Sequence, residues 1–590
     1  MALFTPSESP AVVVKEVDNT GGVPNVQTST GAIVGNFRWG PVEQRTLIAN
    51  EQGLVDTFAS PDTTNTIDFH NAAYFLRYSN SLQVVRMVDS AAANAAGAVG
   101  QTASYDRSTL DNPVVKNKSN FEAQESGLDS DGHTIIARFP GQLGNALRVA
   151  VCPPSVNDSA FDDWAYKASF DGAPGTSAYD SDRDGVNTEL HLAVVDRTGE
   201  LTGTKNTVLE TYPYVSVASN SKNADGTSNY IKDVINERSE YIYFIGFDSA
   251  FANLGNAGTA LTPGTTKTFL GTDIEAASNV DFDSGANSAA LGTSQFLSGF
   301  DLFEDKTAVE VDFLIAPGMN TRADMTTVVN DLVATAGTTR KDCVVVTSPP
   351  RSEVVNKTNE TTITSEIVGT IGTFTNSSYL IMDGNYLKVY DKYNDQYIQI
   401  PAASSTAGLM AETDRVAAPW FSPAGARRGN YLGVTSIDYN PNKTNRDTLY
   451  KAGVNPVVNV AGRGVQLFGD KTRLSRPSAF DRINVRRLFL VLERAIARAA
   501  ENVLFEFNDE FTRAEFVNVI EPVLRDVKGR RGITDFRIVA DETVNTAAVV
   551  DRNEFIANIF IKPARSINYV TLNFVAVRTG VDFEEVAGTV

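Results

Sequence analysis

The sequence predicts a multidomain protein of mixed α/β and α+β class, and three observations predict it. A chain of 590 residues exceeds what one hydrophobic core organises, so it divides into roughly three to five domains. The run "VEVDFLIAPG" at 309–318, followed by "TRADMTTVVNDLVATAGTTRKDCVVVTSPP", reads as strand, helix, strand. Both strands are continuously apolar, as parallel strands buried on two faces are. Near the chain end, two helical patterns precede three strand-like runs.

Taken in order, residues 1–30 form an arm. "PAVVVKEVD" is one short strand, and Val12, Val13 and Val14 cannot bury themselves in isolation, so they pair elsewhere, on another subunit. "GAIVGNFRWGPV" is a strand and turn, and "TNTIDFHNAAYFLRYSNSLQVVRMVD" a helix leading into a strand that ends near Asp89. Residues 90–130 lose apolar periodicity and read as a surface insertion or an irregular small domain. From about 135 to 320, strand-like runs ("HTIIARF", "NALRVAVC", "TELHLAVVD", "SEYIYFIGF") alternate with glycine-rich loops. "NYLKVYDKYNDQYIQIP" is a hairpin turning at Asn394–Asp395. A helix over 482–503 places Val485, Leu488, Phe489, Leu492, Ile496, Ala499 and Val503 at helical spacing. A second helix, "DEFTRAEFVNVIEPVLRDVKG", is expected to close at Gly529. The strands "DFRIVAD", "EFIANIFIKP" and "NYVTLNFVAV" follow, and the last puts Val570, Leu572, Phe574 and Ala576 on one face.

Composition narrows the chemistry. With 71 acidic against 51 basic residues, net −20, the whole surface is unsuited to non-specific nucleic-acid binding. No run approaches a membrane span, and the first residues lack a signal-peptide pattern, so the chain reads as cytoplasmic when made. Cys152 and Cys343 sit in apolar runs and are expected to be buried thiols. His70, His133 and His191 share no metal-like spacing. "GVQLFGDKT", Gly464 to Thr472, approaches a phosphate-binding loop, but Asp470 intrudes between Gly469 and Lys471 and opposes an anion. "DSDRDGVNTELH" approaches a calcium loop through Asp180, Asp182, Asp184 and Gly185, yet its twelfth position is His191 rather than glutamate. The three aspartates are expected on an exposed turn. No catalytic constellation, cofactor site or metal site emerges.

One local reversal of charge stands out. Between 470 and 500, eight basic residues face three acidic ones. Arg482, Arg486, Arg487, Arg494 and Arg498 lie on the first predicted C-terminal helix.

Several segments together carry a resemblance. "GNFRWGP", "LQVVRMVD", "FPGQLGN", "SPPRSEVV", "DGNYLKVYDKYND", "WFSPAGARRG", "LFGDKT", "PSAFDRINVRRLF" and "NEFIANIFIKPARSINYVTLNFVAVRTGVDFEE" occur in that order. In this the chain resembles the contractile tail sheath proteins of T-even-like (myovirus-type) bacteriophages, apart from a shorter stretch at 90–135. The resemblance implies a non-enzymatic structural subunit without cofactor. It implies stacked hexameric rings around an inner tail tube, contracting to drive the tube through the host envelope for genome delivery. The implied partners are further copies of itself, the tube protein, and baseplate and neck or tail-terminator proteins, with no nucleic acid and no membrane insertion. The place is the virion tail, assembled in the host cytoplasm. The alternative is the sheath of a headless contractile device, a tailocin or secretion system.

The fold implied is a conserved inner α/β domain built from both chain ends, with extended N- and C-terminal arms and nested outward β-rich insertion domains. The expected partition is 1–30 arm of the inner domain, 31–89 middle domain, 90–135 outer insertion, 136–320 β-rich outer domain, 321–474 middle domain again, and 475–590 C-terminal sheath domain. Val12, Val13, Val14, Val570, Leu572, Phe574 and Ala576 are then candidates for strands paired between subunits. The five arginines of the helix are either tube-facing contacts or internal clamps.

Overall fold

A computed structural model describes residues 29–97, 113–130, 134–153, 159–183, 187–246, 268–269, 272–273 and 278–566. These fall into two compact units. One holds 29–419 and 423–486, the other 420–422 and 487–566, and the division falls inside the helix Ile483–Glu501.

The larger unit contains a seven-stranded sheet. Gly31–Gly35 lies parallel to Leu82–Arg86 on one side and to Phe313–Ile315 on the other. Val344–Thr347, Leu380–Asp383 and Val454–Asn455 continue the parallel order, and Arg45–Ile48 closes the other edge antiparallel. The strand at 313–315 and its partner at 344–347 are buried throughout, as their unbroken apolar sequences require. Helices Arg322–Ala334 and Glu360–Thr373 cross between strands, each started by a side chain that accepts backbone N–H bonds: Thr321 from Asp324, Asn359 from Thr361 and Thr362. Helix Thr66–Leu76 approaches the sheet so closely that a Cβ on Gly31 would lie 2.7 Å from the Phe75 ring. The hairpin forms from Tyr386–Asp391 and Gln396–Pro401, with Asp395 at φ +49° in its turn.

A second seven-stranded sheet is antiparallel, in the order Thr207–Ser216, Glu189–Asp196, Leu147–Cys152, Ser278–Asp283, Asn94–Gly97, Ile135–Pro140, Ile242–Phe244. Two corrections follow. Among its described residues, the stretch at 90–130 is not irregular. Asn94–Gly97 is an inner strand of this sheet, and helix Lys118–Ser130 covers its neighbours through Phe121, which stacks on Tyr243 with centroids 4.1 Å apart. The expected boundary at 320 also shifts, because Phe313–Ile315 belongs to the parallel sheet. The signal was weak at 94–97 because Ala and Gly carry no strand preference and pairing imposes the conformation.

In the smaller unit, helix Glu510–Gly529 runs antiparallel strands Ile533–Val539 and Asn558–Pro563 beneath it. It ends at Gly529 as expected, with Arg530 as the cap residue, and the positive φ falls on Arg531 at +67°. Trp420 donates from its indole N–H to the Arg530 carbonyl at 3.1 Å. Val12, Val13, Val14, Val570, Leu572, Phe574 and Ala576 lie outside the described residues.

At the carboxyl end of the parallel sheet a carboxylate is fully buried. Asp383 accepts from Ser348 Oγ at 2.8 Å and Thr406 Oγ1 at 3.0 Å. Burial pushes its carboxyl up to about 7, against the hydrogen bonds that lower it. A carboxyl raised on folding contributes stability that is complete below its unfolded value near 3.8 and is lost as pH rises through about 7. Asp383→Asn should therefore gain on the wild type by about 2–4 kcal/mol between pH 5 and pH 8. Calorimetric unfolding of both proteins at the two pH values checks it; a difference that does not change with pH contradicts it.

Candidate functional site

The basic stretch beginning at Asp470 is built around the carboxylate that spoiled the phosphate-loop pattern. "GVQLFGDKT" contributes the strand Gly464–Leu467, which pairs with Val457–Val460. Beyond it Asp470 is 4% exposed. Its Oδ1 accepts from Arg482 Nη1 at 3.0 Å and from the Tyr450 hydroxyl at 3.1 Å. The Asp470 carbonyl also takes the Ile483 amide at 2.8 Å, which fixes the start of the helix. Lys471 donates from Nζ to the Tyr450 carbonyl at 2.7 Å, and burial lowers its ammonium. Arg473 donates from Nε to the Ile371 carbonyl at 2.9 Å, and burial lowers its guanidinium too. The glycine-rich loop thus holds no anion cradle: its lysine and carboxylate are both spent on the fold.

The arginines separate into two groups. Arg482 bonds Asp470 and lies 3.6 Å from Asp481. Arg486 is buried with its guanidinium carbon 4.3 Å from the Tyr379 ring and 4.2 Å from the Phe480 ring, and donates to Ser378 Oγ at 2.7 Å. This aromatic sandwich suits a planar, weakly hydrated cation. Arg487 is buried as well. Arg482 and Arg486 thus both have partners within the fold. Arg494 and Arg498 are half-buried further along the helix. The apolar stripe differs from expectation at its end. Val485, Leu488, Leu492 and Ala499 are buried as expected, but Phe489 and Ile496 are only half-buried, and Ala495 takes an inner position. Val503 falls past the last turn, since the helix is Ile483–Glu501.

The other candidates are structural. Asp180 does not lie on an exposed turn. It is 4% exposed, and its Oδ2 accepts from the hydroxyls of Thr188 at 2.7 Å, Ser216 at 2.9 Å and Ser221 at 3.0 Å. Asp182 is exposed, and Asp184 and Gly185 lie outside the described residues. Buried His191 bonds the Gly172 carbonyl through Nε2 at 2.7 Å and accepts the Tyr214 amide at Nδ1, 3.0 Å. Buried His70 bonds the Thr66 carbonyl at 2.8 Å. Burial lowers both imidazoles, which favours the neutral ring. His133 is outside the described residues. Cys152 and Cys343 are buried and not in a disulfide, and burial pushes the Cys152 thiol up to about 12. The sequence reading missed Tyr450, Tyr379 and Ser378, which no local pattern ties to the arginines. It also missed the exposed aromatics of "NVLFEFNDEF", where the repeated phenylalanines were a visible signal.

The family model of the phage tail sheath protein central domain matches residues 288–473, and that of the phage tail sheath C-terminal domain matches 475–576. The tail sheath protein of Vibrio phage KVP40 is 32% identical, over 98% of this chain and 99% of its own length. The chain belongs to the phage tail sheath protein family. The tail sheath proteins of Enterobacteria phage T4, 32% identical over 98% of this chain and 99% of the relative, and of Salmonella phage ViI, 29% identical over 99% and 98%, agree. The fold is shared with a sheath tail protein from Listeria innocua, at 12% identity and TM-score 0.54, covering 92% of this chain and 94% of the other. A second, from Desulfitobacterium hafniense, matches at 11% and 0.51, covering 94% and 100%. The protein is a structural subunit of a contractile phage tail sheath, and the buried arginine anchors are parts of a sheath subunit's frame.

Two outcomes test the site. Arg482→Met leaves the Asp470 carboxylate without its cation and should cost about 3–5 kcal/mol; adding Asp470→Asn should recover about 1–3 kcal/mol of it. Denaturant unfolding of the single and double variants measures this. Asp180→Ala should cost about 2–4 kcal/mol through three orphaned hydroxyls, and saturating calcium should leave the wild-type melting temperature unchanged.

Proposed function

We propose that this sheath subunit polymerises as stacked hexameric rings around an inner tail tube and contracts to drive the tube through the host envelope. The observation that carries the reading is similarity along the whole of both chains to phage tail sheath proteins. The partners are further copies of the chain, the tube protein, and baseplate and neck or terminator proteins, and the place is the virion tail, built in the host cytoplasm. The C-terminal region from 475, with the arm at 1–30, lies innermost. The parallel-sheet region is the middle, and the antiparallel sheet faces outward. Strands at 11–17 and 567–578 pair between subunits, through Val12, Val13, Val14 and Val570, Leu572, Phe574, Ala576. An open helical lattice needs heterologous contacts, which do not close on themselves. A metastable extended state contracts downhill once its kinetic barrier is removed.

The tube contact is electrostatic and runs through Arg494 and Arg498, half-buried along the helix, while Arg486 and Arg487 are buried and Arg482 bonds Asp470. Each exposed ion pair contributes about 0–1 kcal/mol, so a ring of copies grips while each single contact releases readily.

Negative-stain images of the purified protein should contain hollow cylinders. Arg494→Glu and Arg498→Glu should reduce coating of added tubes, as raised salt does for the wild type, with less effect on tube-free cylinders. Normal coating by both variants at low and high salt places the grip elsewhere; dispersed monomers alone contradict polymerisation.

A further inference from the structure

The joint between helices Ile483–Glu501 and Glu510–Gly529 turns its apolar side chains outward. Leu504, Phe505, Phe507 and Phe511 are 63%, 103%, 84% and 76% exposed. Phe505 sits at φ +71°, a left-handed conformation that a bulky side chain adopts only when its surroundings impose it. The joint is held in place. The Leu504 amide bonds the Glu501 carbonyl at 3.3 Å, and the Glu506 amide bonds that of Val503 at 3.3 Å. Asn508 donates from Nδ2 to the Glu554 carbonyl at 2.8 Å, and Asp509 accepts the Thr512 amide at 2.8 Å, capping the next helix. Phe516 is buried edge-to-face on Phe555, centroids 5.1 Å apart. So the same short region buries one phenylalanine and displays three. A contiguous displayed patch of this kind marks an interface.

The rim of the patch is acidic, with Glu501, Glu506, Asp509 and Glu510 all exposed. The smaller unit carries a second surface of the opposite sign. On the outward face of the ribbon Ile533–Val539 and Asn558–Pro563, Arg537 stands opposite Phe560, and Lys562 opposite Asp535. Lys528 reaches Asp535 at 3.1 Å. Arg537 and Lys562 are exposed, and Phe560 is 58% exposed. One patch is therefore aromatic with an anionic rim, the other aromatic with cationic neighbours.

We propose that the joint of one subunit docks on the ribbon face of a second copy of this chain. Phe505 and Phe507 pack on Phe560, and Glu506 and Glu510 face Arg537 and Lys562. The two patches differ, so the contact is heterologous and adds copies in an open series. It uses the face of the ribbon rather than its edges. A second copy fits better than the chain's own tail, because Asp582, Glu584 and Glu585 carry the sign of the joint itself. The inference rests on the reading that the chain polymerises.

The test uses the full chain and sedimentation velocity, reading the concentration at which polymers appear. Glu506→Lys with Glu510→Lys, and separately Arg537→Glu with Lys562→Glu, should each raise that concentration about tenfold or more. All four changes together restore complementarity and should bring it back close to the wild-type value. Phe505→Gly should weaken assembly while melting close to the wild type, since it removes both the ring and the unfavourable φ. Circular dichroism melts confirm that each variant is folded. Either reversal assembling at the wild-type concentration overturns the docking and leaves polymerisation standing; so does failure of the fourfold variant to recover. Joint variants that form tube-free polymers normally but no longer coat tubes assign the patch to the tube and overturn the proposal. A wild type that never polymerises removes the underlying reading along with it.

Discussion

A guanidinium taken out of water must have its N–H groups answered, and the larger unit is arranged around that requirement. Arg86, at the end of Leu82–Arg86, is 1% exposed. It donates from Nε to the Phe37 carbonyl at 2.8 Å, from Nη1 to Gly40 at 2.8 Å and from Nη2 to Pro140 at 2.6 Å. These bonds go to backbone carbonyls, and burial pushes the guanidinium down to about 9. Pro140 ends a strand of the antiparallel sheet, while Phe37 and Gly40 follow the first strand of the parallel one. One side chain therefore ties both sheets together at their junction. Replacing it would strand several buried carbonyls at once, which is costlier than losing any single bond.

The same device recurs at two other places in the chain. Arg340, also 1% exposed, closes the π-helical turn Thr335–Arg340 by bonding the Val309 carbonyl at 2.9 Å and Asp342 at 2.9 Å. Arg482 and Arg486 do so at the entry to the long C-terminal helix, one against Asp470 and one between two aromatic rings. A sheath protein whose sheets are built from segments far apart in sequence has many such seams. Directional bonds from a rigid fork fix a seam more narrowly than apolar contact alone.

These pins also explain what could be read in the sequence. Elements with a local cause were legible. The strands at 313–315 and 344–347 announced themselves as unbroken apolar runs, and the hairpin at 386–401 by its alternation and turn. The basic surplus between 470 and 500 was legible as an oddity, but its purpose was not. Nothing near Arg486 in the chain indicates that Tyr379 and Ser378 are its neighbours. Asp180 looked like part of a solvated acidic run because Ser216 and Ser221, which its carboxylate serves, come from elsewhere in the sheet. Asn94–Gly97 had no strand signal of its own: Asn94 is held by bonds to Val115 and Ala137, and the sheet supplies the rest. Family membership was legible because it rests on many ordered segments, none of which needs its spatial partners to be known.

Hydrogen exchange of Arg86→Met compared with the wild type addresses the central claim most directly. If buried guanidinium groups hold the seams, amides on both sides of this one should exchange faster together. These are Trp39, which bonds the Phe58 carbonyl, and Gly141 and Gly144, which bond Ala93 and Gly141. The core strands Phe313–Ile315 and Leu147–Cys152 should keep their protection. Unchanged exchange at both the 37–41 and the 140–146 segments would contradict the account, because the junction would then be held by its other contacts, such as the Val42 amide on the Lys116 carbonyl, without the guanidinium.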